Sequence, residues 1–362
     1  FELVGGAGRG FGRDRGVEQK AHPGDALLWN DEEHVQEHPS VPLYTMTCWQ
    51  RFQRASRLER LALQQHGCFS VDREGTDMRA YRQSLEILVR RPCPLVIFPE
   101  GDVYHTNERL TPFRDGAAAI AIGAARRKQR PIVCVPCAIH YRYLEDPTDS
   151  LCELAGNLEQ AIGWRPRQDL SLTDRIYHLA EGLLAIKEIE VFGHTSSVGG
   201  DLPRRVTELI EFLLGRMELR YGLRQREATV PERVKELRRH VIAGLNALDA
   251  DAMPDARLAE DLEDLFLVIQ AFSYPGDYVR RRPSIERIAE TLDKFEEDVL
   301  GAPTATIRGT RTASVCFGEP IPVNPQGNAR SAAAGLTNQV ESSLQSLLDD
   351  ACAKSGADLV SC

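Results

Sequence analysis

Apolar and polar positions alternate with two different periods along this chain, and the change from one to the other divides it. From Pro42 the pattern is orderly: Arg51 to Gln65 has helical spacing and stops before Gly67, a good C-terminal signal. Cys68 to Val71 is a short strand, and Met78 to Arg90 puts Tyr81, Leu85 and Leu88 on one helical face. Leu95, Val96, Ile97 and Phe98 form an unbroken apolar run that reads as a buried central strand. Pro99 cannot donate to a sheet ladder, so the strand should end there and leave Glu100 and Gly101 on the following loop. Gly116 opens a helix of small residues, Ala117 to Arg127, whose alanines allow close packing on a sheet, and Pro131 to His140 is the next strand. Strand, helix, strand, helix, strand predicts an α/β core.

Beyond about residue 150 the helical period takes over. Ser171 to Ile189, Asp201 to Leu219, Pro231 to Leu248, Leu258 to Phe272 and Ser284 to Leu300 are all expected helices. Val206, Leu209, Ile210, Leu213 and Met217 make one apolar stripe, best read as helix packing, and Thr229 with Glu232 has capping-box spacing around Pro231. Strand character returns at Ser314 to Ile321, and a last helix is expected over Thr337 to Ala351. Residues 1–41 fit neither period. Glycines at 5, 6, 8, 10 and 12 alternate with Arg9, Arg13 and Arg15, without dinucleotide-loop spacing and with no strand read ahead of them. With Glu2, Asp14 and Glu18 among them, this stretch is expected to be an irregular or disordered arm rather than an RNA-binding tract.

Composition narrows the possibilities. The 362 residues can bury a large core, and 42% hydrophobic with 27% charged residues is the balance of a globular protein. A net charge of -9 disfavours nucleic acid or an anionic membrane as a partner of the whole molecule. No apolar run reaches spanning length and no signal peptide is visible, so a cytoplasmic location is expected. The first residue is Phe, so the natural start is expected to lie upstream. Nine scattered cysteines suit a reducing compartment better than a disulfide framework. Cys134 and Cys137 have half-site spacing, but residues three apart on a strand face opposite ways and no second such pair exists; both read as core cysteines.

Three short blocks carry more information in their order than singly. Gly67, Phe69 and Arg73 come first, Phe98, Pro99, Glu100 and Gly101 second, and Pro136 within an apolar strand third, with Phe113-Arg114-Asp115-Gly116 lying between the last two. In this order the chain resembles the glycerolipid acyltransferases, the family of glycerol-3-phosphate and lysophosphatidic acid acyltransferases. The resemblance runs from about Pro42 to Tyr143, with a short return near Val315, where a strand followed by Gly318-Glu319-Pro320 is similar to the one that closes the family's catalytic sheet. It implies an acyltransferase-type mixed sheet flanked by helices, with a long helical insertion. The domain expectation is therefore an arm over 1–41 carrying a divergent first block, an acyltransferase α/β domain over 42–149 and 311–362, and an insertion over 150–310.

Acyl transfer from a thioester to an alcohol needs a base, donors for the tetrahedral oxyanion, and charge to hold the acceptor. The family resemblance implies a His-x-x-x-x-Asp base and direct attack on the thioester without an acyl-enzyme. Here the nearest match in position is His22 with Asp25, two residues too close, and Leu27 stands where the family has Asp. His34 and His38 are followed at the family spacing by Pro39 and Leu43, and His140, followed by Glu145, is out of family order. His22 is the candidate base and Asp25 its partner; a solvated loop His is the competing reading. By the same resemblance Gly67, Phe69, Arg73, Phe98, Pro99, Glu100, Gly101 and Pro136 line the substrate site, Arg73 meeting phosphate through a fork of donors. A structural Arg73–Glu100 ion pair is the rival reading, and Asp72 would orient Arg73 or cap the next turn. His105 and His140 read as polar neighbours of the site, and the run Arg126, Arg127, Lys128 and Arg130 as a solvated helix end that could meet acyl-carrier phosphates.

The resemblance implies transfer of a fatty acyl group from acyl-CoA or acyl carrier protein to a glycerol-phosphate-type hydroxyl, as in phospholipid biosynthesis. No metal or organic cofactor is expected. Contact with the inner face of a membrane would be peripheral, and Arg73 and Glu100 should share a cleft at the ends of neighbouring strands. A non-catalytic lipid-binding or scaffold protein on the same fold is the alternative.

Overall fold

The computed structural model describes residues 2–6, 18–20, 42–73, 77–91, 93–101, 104–195, 201–223, 228–246 and 256–358. The chain divides into two compact units, one of Phe1–Glu145 with Gly309–Cys362 and one of Asp146–Arg308.

The first unit is a mixed sheet with helices against it. Its strands are β1 (Glu2–Gly6), β2 (Glu18–Lys20), β3 (Tyr44–Cys48), β4 (Cys68–Val71), β5 (Leu95–Ile97), β6 (Ile132–Tyr143), β7 (Arg311–Phe317) and β8 (Ile321–Pro322). They lie in the order β2-β7-β6-β1-β5-β3-β4, with β8 also beside β6. β3 runs parallel to both β4 and β5, and the other pairs are antiparallel. The apolar run reads correctly: Leu95, Val96 and Ile97 are all buried. α3 (Met78–Arg90), α4 (Gly116–Ala125) and α12 (Ala329–Asp358) cover the sheet. α4 packs through Ala117, Ala118, Ala121 and Ala124. A Cβ at Gly123 would come within 2.4 Å of the Tyr81 hydroxyl, so the small residues set how closely α4 approaches α3.

Pro136 sits inside β6, where a missing N–H should break the ladder. It does not, because β6 changes partner there. Val133 and Cys134 face β8, Cys137 onward faces β7, and the Pro136 carbonyl accepts from Gly318 N–H at 2.8 Å. Cys134 and Cys137 are both buried, and burial pushes the Cys137 thiol up to about 12.

Three expectations need correction here. The arm was expected to lack strands, yet Glu2–Gly6 pairs antiparallel with β5 and β6, and Glu18–Lys20 with β7. Main-chain hydrogen bonds to the open edges of β5, β6 and β7, not apolar alternation, account for this. The helix expected over 51–65 is two: α1 (Trp49–Arg54) and α2 (Arg57–Gln65). Ser56 and Glu59 form a reciprocal capping box that restarts the helix. The last helix is longer than the expected Thr337 to Ala351, running from Ala329 to Asp358.

The second unit is helical: α5 (Thr148–Ala161), α6 (Leu172–Phe192), α7 (Leu202–Arg220), α8 (Val230–Asn246), α9 (Ala256–Phe272), α10 (Tyr278–Arg281) and α11 (Ile285–Leu300). Leu209, Ile210, Leu213 and Met217 of the α7 stripe are buried. Ahead of α8, Glu232 reaches back to the Thr229 N–H at 2.9 Å. Each consecutive helix pair from α5 to α8 also carries one bidentate arginine–carboxylate pair. Arg175 of α6 meets Glu159 of α5 at 3.0 and 2.8 Å, Arg205 of α7 meets Glu188 of α6 at 2.9 and 2.6 Å, and Arg233 of α8 meets Glu218 of α7 at 2.7 and 3.0 Å.

Candidate active site

β5 ends in a four-residue turn. Gly101 N–H donates to the Phe98 carbonyl at 3.3 Å, Pro99 takes the second position, and Gly101 takes the last with φ +74°. The chain then returns, because Arg114 N–H donates to the Pro99 carbonyl at 2.9 Å. Glu100 is held on this return: its Oε2 accepts from the Thr111 N–H at 3.0 Å and from the Thr111 hydroxyl.

Arg73 arrives from the end of β4. Its Nη1 donates to the Gly101 carbonyl at 2.7 Å, while Arg114 Nη1 donates to the Arg73 carbonyl at 3.3 Å. Two guanidinium groups thus converge on the Glu100–Gly101 turn. A Cβ on Gly101 would lie 2.5 Å from Arg114 Nε, so this position needs glycine for its backbone and for its neighbour. Gly101→Ala should therefore cost about 1–3 kcal/mol of stability and push Arg114 aside; urea unfolding of the pure variant measures it.

The strand ends are not adjacent as expected. β3, whose Tyr-Thr-Met-Thr-Cys run is too polar to read as a core strand, lies between β4 and β5. Because the three are parallel, their C-terminal ends still open on one side of the sheet, and Arg73 reaches across. Asp77, not Asp72, caps α3. It accepts from the Arg79 and Ala80 N–H groups at 3.0 and 2.9 Å and from Asp72 N–H at 3.0 Å. The Ala80 hydrogen bond is the main reason its carboxyl lies below the usual range.

Other sequence-derived candidates are accounted for by the fold. Gly67 has φ +81°, and a Cβ there would lie 2.2 Å from the Leu43 carbonyl oxygen. Phe69 lies in the core, Pro99 is buried in the turn, and Phe98 is half-buried beside it. Pro136 marks the partner change in β6. Arg126 is not simply solvated: it donates to the Pro325 and Gly327 carbonyls at 3.1 and 2.7 Å. His105 has φ +49°, and His140 is buried beneath the loop that follows the turn. His22 and Asp25 lie outside the described residues. Arg114 and Thr111 had no role assigned from sequence. The Phe113-Arg114-Asp115-Gly116 block was the available signal, but only the return of the chain onto Pro99 shows what Arg114 touches.

A mixed sheet with helices on it carries a Phe-Pro-Glu-Gly turn at the C-terminal end of a central strand, with an arginine drawn onto that turn. Residues 29–140 match the family model described as Acyltransferase. The matched stretch contains Arg73, the 98–101 turn, Arg114 and Pro136. The match covers less than half of the chain and supports acyl transfer in general as the chemistry of this stretch. No curated protein and no solved structure matches the chain. Among the described residues no helix is long and apolar enough to cross a membrane.

Proposed function

We propose that the protein is an O-acyltransferase that moves a fatty acyl group from acyl-CoA or acyl carrier protein to the hydroxyl of a glycerol-phosphate-type acceptor. The observation that carries this reading is the convergence of Arg73 and Arg114 on the Glu100–Gly101 turn. Forked donors suit phosphate oxygens, and a carboxylate held by Thr111 suits a sugar-alcohol hydroxyl.

In this reading His22 takes the proton of the acceptor hydroxyl as the oxygen attacks the thioester carbonyl, and Asp25 orients the imidazole. The tetrahedral intermediate collapses, the carbon–sulfur bond breaks, and the imidazolium returns its proton to the departing thiolate. The step is balanced without metal or organic cofactor. The acylated product is apolar, so the reaction belongs at a bilayer surface with the protein bound peripherally, at the cytoplasmic face.

The test is acceptor kinetics. A hydrogen bond to a charged group contributes about 1.5–3 kcal/mol, so Arg73→Ala should raise the acceptor KM about ten- to a hundredfold with kcat largely kept. Arg73→Lys should recover only part, since the fork is lost. An unchanged KM in Arg73→Ala would remove the acceptor-site assignment. No turnover in the unmutated chain with lipid binding intact would favour the non-catalytic reading.

A further inference from the structure

We propose that Glu108, His140 and Cys352 form a binding site for a zinc-like divalent transition-metal ion that ties the loop after the active-site turn to the sheet and to the C-terminal helix. The carboxylate, imidazole and thiol come from three separate parts of the first unit: the 104–115 loop, β6 and α12. His140 Nε2 lies 3.8 Å from Glu108 Oε1 and 3.7 Å from Cys352 Sγ, and all the ligand atoms lie within 4.8 Å of one another. Tetrahedral zinc, with bonds of about 2.0–2.3 Å, sets its ligand atoms about 3.3–3.6 Å apart. Small side-chain movements would close the difference.

The three side chains are almost fully removed from water, at 4%, 4% and 1% exposure. Once Cys352 gives up its proton, the thiolate and the carboxylate carry two negative charges, which one dication neutralises in place. His140 contributes the unprotonated Nε2, so its proton sits on Nδ1. Sulfur and nitrogen donors exclude calcium and magnesium as preferred ions and fit zinc. Three protein ligands leave one position of a tetrahedral ion to a water.

The surroundings hold the ligands in place. Asn107, next to Glu108, donates to the Tyr141 carbonyl at 2.7 Å and accepts from the Tyr141 N–H at 2.8 Å, fixing the loop to β6 beside His140. Gln345 on α12, two turns before Cys352, donates to the Glu108 carbonyl at 3.3 Å and accepts from Leu110 N–H at 3.1 Å. The same two elements that supply the other ligands therefore position the main chain around Glu108. This is the arrangement by which outer contacts orient metal ligands.

The experiment uses the full chain, stripped by chelator and titrated with Co²⁺ and then Zn²⁺. One equivalent of Co²⁺ should give a thiolate-to-cobalt charge-transfer band that Zn²⁺ displaces, and Zn²⁺ should raise Tm. Cys352→Ser should abolish the band, whereas Cys134→Ser should leave it. Glu108→Gln, nearly isosteric and chosen in case His140→Ala does not fold, should weaken Co²⁺ binding by about tenfold or more. A band that survives in Cys352→Ser, or folded unmutated protein that gives no band and no Zn²⁺-dependent rise in Tm, would overturn the proposal and leave a hydrogen-bonded polar cluster.

Discussion

His22→Ala is expected to lower turnover by about 10² to 10⁴ with acceptor binding retained, the usual loss on removing a general base. An alcohol is a weak nucleophile at neutral pH, and its oxygen gains reactivity only as the proton leaves. On the proposed reading, family order assigns that proton to His22, with Asp25 as its partner. The measurement is kcat at saturating acyl-CoA, set beside Arg73→Ala, where the acceptor KM should move instead. The two variants separate chemistry from binding. Full turnover in His22→Ala would end the assignment and turn attention to His38, His66 or His105. His140 is a poorer substitute, because it is buried and its Nε2 faces Glu108 and Cys352.

The other large effect is expected in the helical unit. Arg175→Ala should destabilise it by about 3–5 kcal/mol, since it strands the Glu159 charge in a fully buried position. Burial alone would raise the Glu159 carboxyl. The Arg175 hydrogen bonds, with the Arg167 N–H at 2.9 Å, outweigh that and hold it below the ordinary carboxylate range. The folded value is therefore the lower one. The pair's contribution is fully present above the unfolded carboxyl value and is lost as pH falls through the lowered folded one. Urea unfolding followed by helix dichroism should show the unmutated unit weakening in acid, and Arg175→Ala weak already at neutral pH. The double variant Glu159→Leu/Arg175→Met removes both charges and should regain most of the loss. A double variant no better than Arg175→Ala would mean that packing, not charge, dominates there.

What could be read in advance follows from where the information lies. α6 and α11 were legible because their stripes come with local punctuation. Ser171 and Ser284 accept from the N–H groups of Asp174 and Arg287, and Gly193 and Gly301 take left-handed C-terminal positions at φ +77° and +68°. β5 was legible from apolarity alone. β3 was not, since its Thr45 and Thr47 are buried hydroxyl residues with no apolar signature. α5 starts within a transition that carried no clear stripe. In the candidate site, the turn and Arg73 stood out as motif residues, but β3 between their strands and the contact of Arg114 depend on chain return. The trio of Glu108, His140 and Cys352 was the least legible of all: His140 and Cys352 are 212 positions apart, and only the packing of α12 on β6 joins them.

The pairing of β6 with β7 bears on the order in which the molecule assembles. Cys137 pairs with Phe317, and across the base of the insertion Leu144 N–H bonds the Thr310 carbonyl at 2.9 Å. Closing that ladder while Asp146–Arg308 is still an open chain costs about 4–5 kcal/mol in loop entropy. Helices form from local contacts and form quickly. Once the insertion has folded by itself, its two ends are no longer the ends of a long random loop, and most of that cost has been met before β7 reaches β6. In that order of events the sheet closes late, at the seam where Asp146–Arg308 interrupts it in sequence.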